Sequence, residues 1–266
     1  MPEGAKKIAL LGFVTALVLL GAATAGAELS ERGDLFVKFD GGIAPTALPR
    51  HSRGPIAVQV AGTIKTLSGE RPPALRQIEI AVNRGGSVDT EGLPLCRKTQ
   101  LEARSSRQAM KACGPALVGR GRYAGAFSFP EQSAFPLQGR ILAFNAIVDG
   151  KRAILAHVFG KSPFPATRII TFRIRHSEGT FGTLLVGALP ASLNRNGYLK
   201  EISLVLHRSY VYRGRRHSYL GAQCSAPAGF SVGVFAFARV SMAFADGRRL
   251  GSTLIRSCKV REPLAR

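Results

Sequence analysis

The sequence predicts an all-β fold, an antiparallel β-sandwich of jelly-roll type with one short α-helix between Cys96 and Cys113. Three observations lead there. Apolar and polar residues alternate at period two through most of the chain, the pattern of strands with one buried face. Asp-Gly pairs separate consecutive alternating runs, as in tight hairpins. Four cysteines follow an export-type leader, which reads as a set of staples across a sheet.

In the leader, Lys6 and Lys7 precede an apolar run from Ile8 to Leu20, and small residues then lead to Ala25-Gly26-Ala27. A positive start, a short apolar middle and an A-x-A site make a cleavable secretory signal. The competing reading is an uncleaved anchor. It needs roughly 20 apolar residues to cross a bilayer, and this run is shorter. No cysteine lies near the cleavage site to carry a lipid, and no second long apolar run follows. Residues 1–27 are expected to be the signal peptide and residues 28–266 a single β domain, with a sub-boundary near residue 95 as the alternative.

The strand evidence runs along the mature chain. Ile56, Val58, Val60 and Ile64 share one face, with Gln59 and Thr63 opposite; Ile78, Ile80 and Val82 oppose Gln77, Glu79 and Asn83. Ile170, Phe172 and Ile174 oppose Thr171, Arg173 and Arg175, and Ile202, Leu204 and Leu206 oppose Glu201, Ser203 and His207. In the long run Val232–Phe244, the pattern places Val232, Val234, Val240, Met242 and Phe244 on one face and Phe235, Phe237, Arg239 and Ser241 on the other. One polar face per strand means antiparallel pairing around a shared core. Asp149-Gly150 and Asp246-Gly247 sit between such runs and predict hairpins; no carboxylate-rich loop surrounds them to suggest calcium. Pro and Gly cluster at 41–55, 69–73, 162–165 and 225–229, which predicts loops.

One segment breaks the alternation. Thr99-Gln-Leu-Glu102 has the form of a capping box, good helix formers run to Ala112, and Gly114-Pro115 stops them. A helix of about three turns is predicted. Cys96, Cys113, Cys224 and Cys258 allow three disulfide pairings. The local one, Cys96–Cys113 and Cys224–Cys258, is expected because each pair brackets one compact segment. Closing such loops contributes about 3 and about 4 kcal/mol in the chain-entropy model. No C-x-x-C pair and no H-x₃-H exists, so a metal site is not indicated.

The formal charge is +21, and loss of Lys6, Lys7 and Glu3 with the signal leaves +20. Such a surface attracts polyanions: anionic cell-wall polymer, lipid head groups, acidic polysaccharide or extracellular DNA. The alternative is genomic bias, since arginines outnumber lysines 27 to 10 and are spread without blocks. The sharpest local feature is His207–Tyr219. It reads as a hairpin whose tip, Arg213–His217, holds Arg213, Arg215, Arg216 and His217, with Arg208, Tyr210 and Tyr212 on one strand face. Arginine forks take phosphate or carboxylate, and tyrosine rings stack on bases or sugars. The plain reading is an exposed hairpin whose arginines guard an edge. The absence of tryptophan weakens a carbohydrate platform, and Val118-Gly-Arg-Gly-Arg122 is too short for an RNA-binding repeat.

Catalytic signatures are weak. Gly229-Phe-Ser231-Val-Gly233 matches the nucleophile-elbow string, but a loop precedes it, a strand follows it, and all five histidines come before Ser231. Glu178 near His176 and Asp149 near His157 are the acid–histidine neighbours worth naming, both close to predicted turns. No paired carboxylates stand out, and no nucleotide cofactor or other cofactor is implied.

Leu93-Pro-Leu-Cys96, Ala109-Met-Lys-Ala-Cys113-Gly-Pro-Ala-Leu-Val-Gly-Arg-Gly121, Arg216-His-Ser-Tyr-Leu-Gly-Ala-Gln-Cys224 and Arg256-Ser-Cys258 resemble a group of uncharacterised secreted proteins of high-GC Gram-positive bacteria. The resemblance spans roughly residues 35–260. It implies export and two disulfides, and no activity. The sequence thus points to a secreted or envelope-associated, non-enzymatic protein that binds anionic polymer through the 208–217 hairpin. The rival reading is a secreted hydrolase whose site is assembled from His157, His176 or His217 and a carboxylate.

Overall fold

The computed structural model describes residues 27–128, 131–161, 164–190 and 197–261. The expected signal peptide lies outside these residues except for Ala27, and part of the expected loop at 162–165 lies outside them too.

The chain is mostly strand, with one short helix. Its strands are β1 (Glu28–Arg32), β2 (Leu35–Ala44), β3 (Ala47–Leu48), β4 (Gly54–Pro55), β5 (Ala57–Thr66), β6 (Leu75–Asn83) and β7 (Gly86–Val88). After helix α1 (Ser106–Cys113) come β8 (Leu117–Phe127), β9 (Phe135–Val148), β10 (Lys151–Gly160), β11 (Ala166–His176), β12 (Phe181–Ala188) and β13 (Gly197–Leu206). The last are β14 (Ser209–Tyr212), β15 (Arg215–Ser218), β16 (Leu220–Ala222), β17 (Val232–Phe244) and β18 (Arg249–Val260).

Thirteen of these form one sheet in the order β1-β2-β5-β13-β8-β9-β10-β11-β12-β6-β17-β18-β3. Every pairing is antiparallel except the short parallel contact of β18 with β3. A jelly-roll sandwich needs two separate sheets. Here the strands β8 to β12 follow one another as a meander, so one ladder runs on unbroken, and what packs face to face is two halves of the same curled sheet.

The two ends of the ladder meet across a side-chain seam. Arg256 of β18 is 8 % exposed. Its Nε donates to the Gly41 carbonyl of β2 at 2.5 Å, its Nη1 to Glu28 Oε1 of β1 at 3.0 Å, and its Nη2 to Asp40 Oδ1 at 3.2 Å. The Ile255 amide also donates to Glu28 Oε1, at 3.3 Å. Nearer the start of β18, Arg248 Nη1 donates to Asp34 Oδ1 at 2.7 Å and to the Arg32 carbonyl at 3.1 Å. Leu250 and Leu254 of β18 share a core with Leu35, Val37 and Phe39 of β2 beneath these ion pairs.

Both Asp-Gly hairpins form. Asp149 and Gly150 take φ of 51° and 71°, the paired positive values that a two-residue turn between Val148 and Lys151 needs. At Asp246-Gly247 the loop is longer, and the Asp246 carboxylate accepts from the Arg248 amide. β17 differs in phase from the sequence reading. A β-bulge at 236–238 leaves Phe237 without a partner on β18, and the strand shifts by one residue there. Phe237 (4 % exposed) therefore joins Val240, Met242 and Phe244 in the core, while Val234 is 73 % exposed.

The helix is shorter than expected and starts later. Lys98–Gln100 is a single 3-10 turn, and Ala103 at φ 53° interrupts the chain. The capping box that operates is Ser105 with Gln108: Ser105 Oγ accepts from the Gln108 amide and Gln108 Oε1 from the Ser105 amide. Helix and preceding loop cover the outer face of β9 and β10, where Leu142, Phe144, Ala146 and Leu155 are buried with Leu101, Ala109 and Ala116. Those strands are buried on both faces, so residues 141–146 lose the alternation.

Both expected disulfides are present, Cys96–Cys113 with Cα atoms 5.5 Å apart and Cys224–Cys258 at 5.7 Å. The second ties a small sheet, β4-β16-β7, to the end of β18.

The seam yields a first expected outcome. Arg256→Met keeps the bulk of the side chain but removes the guanidinium from the Gly41 carbonyl and from both carboxylates, which keep only backbone amide donors, and it lowers unfolding free energy by about 2–3 kcal/mol. Arg256→Lys recovers only part of this, because an ammonium cannot fork to three acceptors. Urea titration followed by far-UV circular dichroism measures both; an unchanged midpoint for Arg256→Met would show that the core alone closes the sheet.

Candidate functional site

The inner face of the curled sheet supplies a concave surface. Strand periodicity puts Val58, Val60 and Gly62 of β5 on this face, in register with Leu206, Leu204 and Ile202 of β13, and Ile78 and Ile80 of β6 line it as well. Part of it is filled by the Leu35-to-Leu254 core. The rest encloses two cavities of about 180 Å³ and about 130 Å³. Val60, Ile80, Ala156, Phe172, Leu204 and Ala238 belong to both walls, so the cavities are two chambers of one interior, separated by a waist.

The first chamber lies toward Leu137, Val158, Leu189 and Leu199, near strand ends joined by the 128–134, 161–165 and 189–196 connections. The second lies beneath the small sheet, where Tyr219, Leu220 and Ala222 close it. The small sheet is held by the Ile56 amide donating to the Leu220 carbonyl at 3.1 Å, the Asp89 amide to the Tyr219 carbonyl at 2.9 Å, and the Cys224 amide to the Pro49 carbonyl at 2.9 Å.

Few polar groups face this space. Tyr219 is fully buried, and its hydroxyl has no hydrogen-bond partner among the described residues. Burial holds the phenol far above its ordinary pKa. An unpaired buried hydroxyl costs about 1–3 kcal/mol, a cost that a ligand acceptor would remove. Tyr123 of β8 lines the first chamber. Burial raises its pKa, and the nearby Arg168 guanidinium partly opposes that rise. The Tyr123 ring lies across glycines: a Cβ at Gly160 would sit 2.5 Å from Tyr123 Oη, and one at Gly139 would sit 2.6 Å from its ring. Those two positions must be glycine for the ring to lie flat against the wall.

The residues singled out in the sequence lie elsewhere. β14 and β15 form the expected hairpin, turning at Arg213 and Gly214 with φ of 48° and 72°. Its tyrosine face is turned toward the protein. Tyr210 stacks on His217 with centroids 5.4 Å apart, and Tyr212 meets His217 edge-on at 5.9 Å. Tyr212 also packs so closely on Gly92 that a Cβ there would come within 2.2 Å. Arg208 Nη2 lies 3.4 Å from the Pro115 carbonyl, to which it donates. Arg213, Arg215 and Arg216 are exposed, with Arg213 over the Tyr212 ring at 5.1 Å. The hairpin thus splits: Arg208, Tyr210, Tyr212 and His217 pack inward, and three arginines face solvent.

The histidines also separate. His157 is fully buried on the outer face of β10, and its Nε2–H donates to the Arg104 carbonyl at 2.8 Å. Thr167 Oγ1 donates to the same carbonyl at 2.7 Å, and Asn145 Nδ2 donates to the Pro94 carbonyl at 3.1 Å. These side chains pin the 93–104 segment to the sheet. Asp149 lies eight residues along the same hairpin arm, about 27 Å away at strand rise, and pairs with Arg173 at 2.6 Å. No hydrogen bond joins His176 to Glu178 among the described residues. His217 Nδ1 does meet Asp89 Oδ2 at 3.1 Å, but neither residue lines a chamber and no serine or cysteine is bonded to that histidine among the described residues. Ser231 is exposed and leads directly into β17. Among the described residues, no group of three or more His, Cys, Asp or Glu is placed to hold a metal ion.

Comparison with known protein families, with curated protein sequences and with solved structures returns no match.

His157 yields the second expected outcome. Its Nδ1 is buried without a partner among the described residues, and burial lowers its pKa below the ordinary value, against smaller opposing backbone hydrogen bonds. The unfolded chain therefore binds the proton more readily, with a pKa near 6.5. His157's contribution to stability is complete above about pH 6.5 and falls as the pH drops below it. Between pH 7.5 and 5, thermal melts of the wild type lose more Tm than those of His157→Gln. Parallel pH profiles for the two proteins would refute this.

Proposed function

We propose that the protein is an exported, non-catalytic binding protein that holds a small apolar molecule inside its curled sheet. The observation that carries this reading is the pair of adjacent apolar chambers that share lining residues. Each is comparable to the engineered cavity of roughly 150 Å³ that stays dry and takes up benzene. Together they reach the lower bound of roughly 300 Å³ usual for small-molecule sites. A well-packed interior has few voids larger than a water molecule, so two chambers sharing a wall are a feature to explain. The buried, unpaired Tyr219 hydroxyl adds one polar contact to an otherwise apolar lining, the usual composition of such sites. Export is supported by the leader and by two disulfides with no free cysteine among the described residues. Among the described residues, no helix is long and apolar enough to cross a membrane.

The interior is tested with the neutral dye N-phenyl-1-naphthylamine. The wild type enhances its fluorescence saturably with one site per chain. Ala156 stands in the waist, and Ala156→Phe fills it, cutting the affinity at least tenfold while the far-UV spectrum is kept. Overpacking of this kind costs about 1–3 kcal/mol of stability, so the variant remains folded at room temperature. Equal binding by both proteins would place the dye outside the chambers.

A second reading is favoured by the exposed arginines. Arg213, Arg215 and Arg216 at the hairpin tip, and Arg120, Arg122 and Arg140 on the outer sheet face, have no acidic partner among the described residues. This surface attracts anionic wall polymer or lipid head groups from outside, without conflict with the interior site. Retention on heparin falls steeply with salt. If the hairpin contributes, the Arg213→Ser/Arg215→Ser/Arg216→Ser triple variant elutes earlier than a variant that loses three scattered arginines. Identical elution would assign the effect to net charge alone.

A further inference from the structure

We propose that the interior ligand carries an anionic head group, a carboxylate on an apolar chain, received by Arg168 and Tyr123 at one end of the first chamber. This rests on the reading of the interior as a ligand site and names the ligand's chemical class.

The argument starts from register. On β10 the residues Ile154, Ala156 and Val158 face the interior and line the chambers. Their partners on β11 are Phe172, Ile170 and Arg168. Because side chains alternate strictly along a strand, Arg168 shares the face of Ile170 and Phe172, which line the first chamber. An arginine therefore follows two large apolar residues on the concave side of the sheet, one step from the strand end. It is half-buried, and its guanidinium bonds a backbone oxygen of its own strand: Nη1 donates to the Thr167 carbonyl at 2.9 Å. Among the described residues no carboxylate pairs with it. The other interior-side arginine described above, Arg256, has two carboxylates and a carbonyl.

Tyr123 brings a hydroxyl to the same place. Its register partner on β9 is Gly139, which pairs with Gly160 of β10, which pairs with Ala166 of β11. The tyrosine oxygen lies over Gly160. That puts it one row along from the Arg168 row and one strand away. Tyr123 lines the chamber; Arg168 does not line it but stands one row beyond Ile170 on the same face of β11, close enough to act on the Tyr123 phenol. A phenol donor and a guanidinium fork so placed suit a single carboxylate, which accepts from both in charge-assisted hydrogen bonds. From Val158 to Ile154 the wall runs about 13 Å inward at strand rise, ending in the second chamber, which suits an extended chain of medium length. At the buried end Tyr219 presents a hydroxyl with no hydrogen-bond partner among the described residues.

The test is competition against N-phenyl-1-naphthylamine at pH 7.5, using decanoate and 1-decanol, which share a chain length and differ in the head. Decanoate is expected to displace the dye from the wild type at a concentration at least tenfold below that of decanol. Arg168→Met, which keeps length and apolar stem, abolishes the preference while leaving decanol and dye affinity within twofold. Arg168→Lys retains part of it. Tyr123→Phe reduces it several-fold. The proposal is overturned if acid and alcohol compete equally on the wild type, or if Arg168→Met keeps the acid preference. If the dye binds and Ala156→Phe blocks it while no acid preference exists, the head-group assignment alone fails. If neither dye, decanol nor decanoate binds, the interior reading fails with it.

Discussion

Everything inside this protein depends on one buried arginine. A sheet this long, twisted as strands twist, brings its own ends together, but no backbone ladder joins β18 to β1 and β2 along the seam. Arg256 substitutes for the missing ladder. Its three donor atoms reach a carbonyl on β2 and carboxylates on β2 and β1, and Arg248 repeats the arrangement a few residues away. Such a group is costly to bury alone and stable only with full hydrogen bonding. The consequence is geometric specificity: a seam of this kind fixes how far the sheet rolls, and therefore how much space is left inside. A continuous ladder would instead set the roll through strand number and register.

The β-bulge in β17 acts on the same variable from the other wall. By shifting the strand one step at 236–238, it sends Phe235 and Phe237 inward at one end and Val240 and Met242 inward at the other. The inner surface stays apolar along the whole strand, even though the strand is phased as two pieces. The glycines of β8 do the opposite job. Gly119 and Gly121 stand on the inner face opposite Leu206 and Leu204, where a larger residue would meet those neighbours or their backbone. The missing side chains at these positions let β8 lie close against its neighbour β13, whose Leu206 and backbone occupy the space.

Much of the fold is legible in the sequence, and the reasons are local. Ile78-x-Ile80-x-Val82 and Ile202-x-Leu204-x-Leu206 alternate because each has one wet face, and Asp149-Gly150 marks a turn because both residues tolerate positive φ. The two disulfides follow from spacing. What failed depends on tertiary covering. Residues 141–146 face core on both sides, which no period can announce. The Phe237 phase shift is invisible because Phe235 and Phe237 read as the outer face of an unbroken strand. The helix was misplaced because Thr99-x-x-Glu102 and Ser105-x-x-Gln108 both satisfy a capping box, and only the chain reversal at Ala103 decides between them. The interior site was not legible. Val118-Gly-Arg-Gly-Arg122 looks like a basic repeat when its glycines make room for the neighbouring β13, and Arg168 is one arginine among 27 until its row is known. The hairpin's arginines and tyrosines are adjacent in sequence, yet its tyrosines pack on His217 and Gly92 and seat it.

The partition of charge then argues for where selectivity resides. Outside, Arg122 and Arg140 stand directly opposite each other on neighbouring strands, an arrangement that costs energy in isolation and is tolerated because both are exposed and screened over about 8–10 Å in physiological salt. A surface built this way attracts any polyanion and ranks none above another. Inside, the dielectric is low and the geometry fixed, so one guanidinium and one phenol discriminate between ligands that differ by a single charge. The same residue type thus carries two roles set only by which face of a strand it occupies. The alternation that puts Arg122 in water puts Arg168 at the end of an apolar chamber, and a one-residue slip in β11 would exchange it for Thr167 or Ile169.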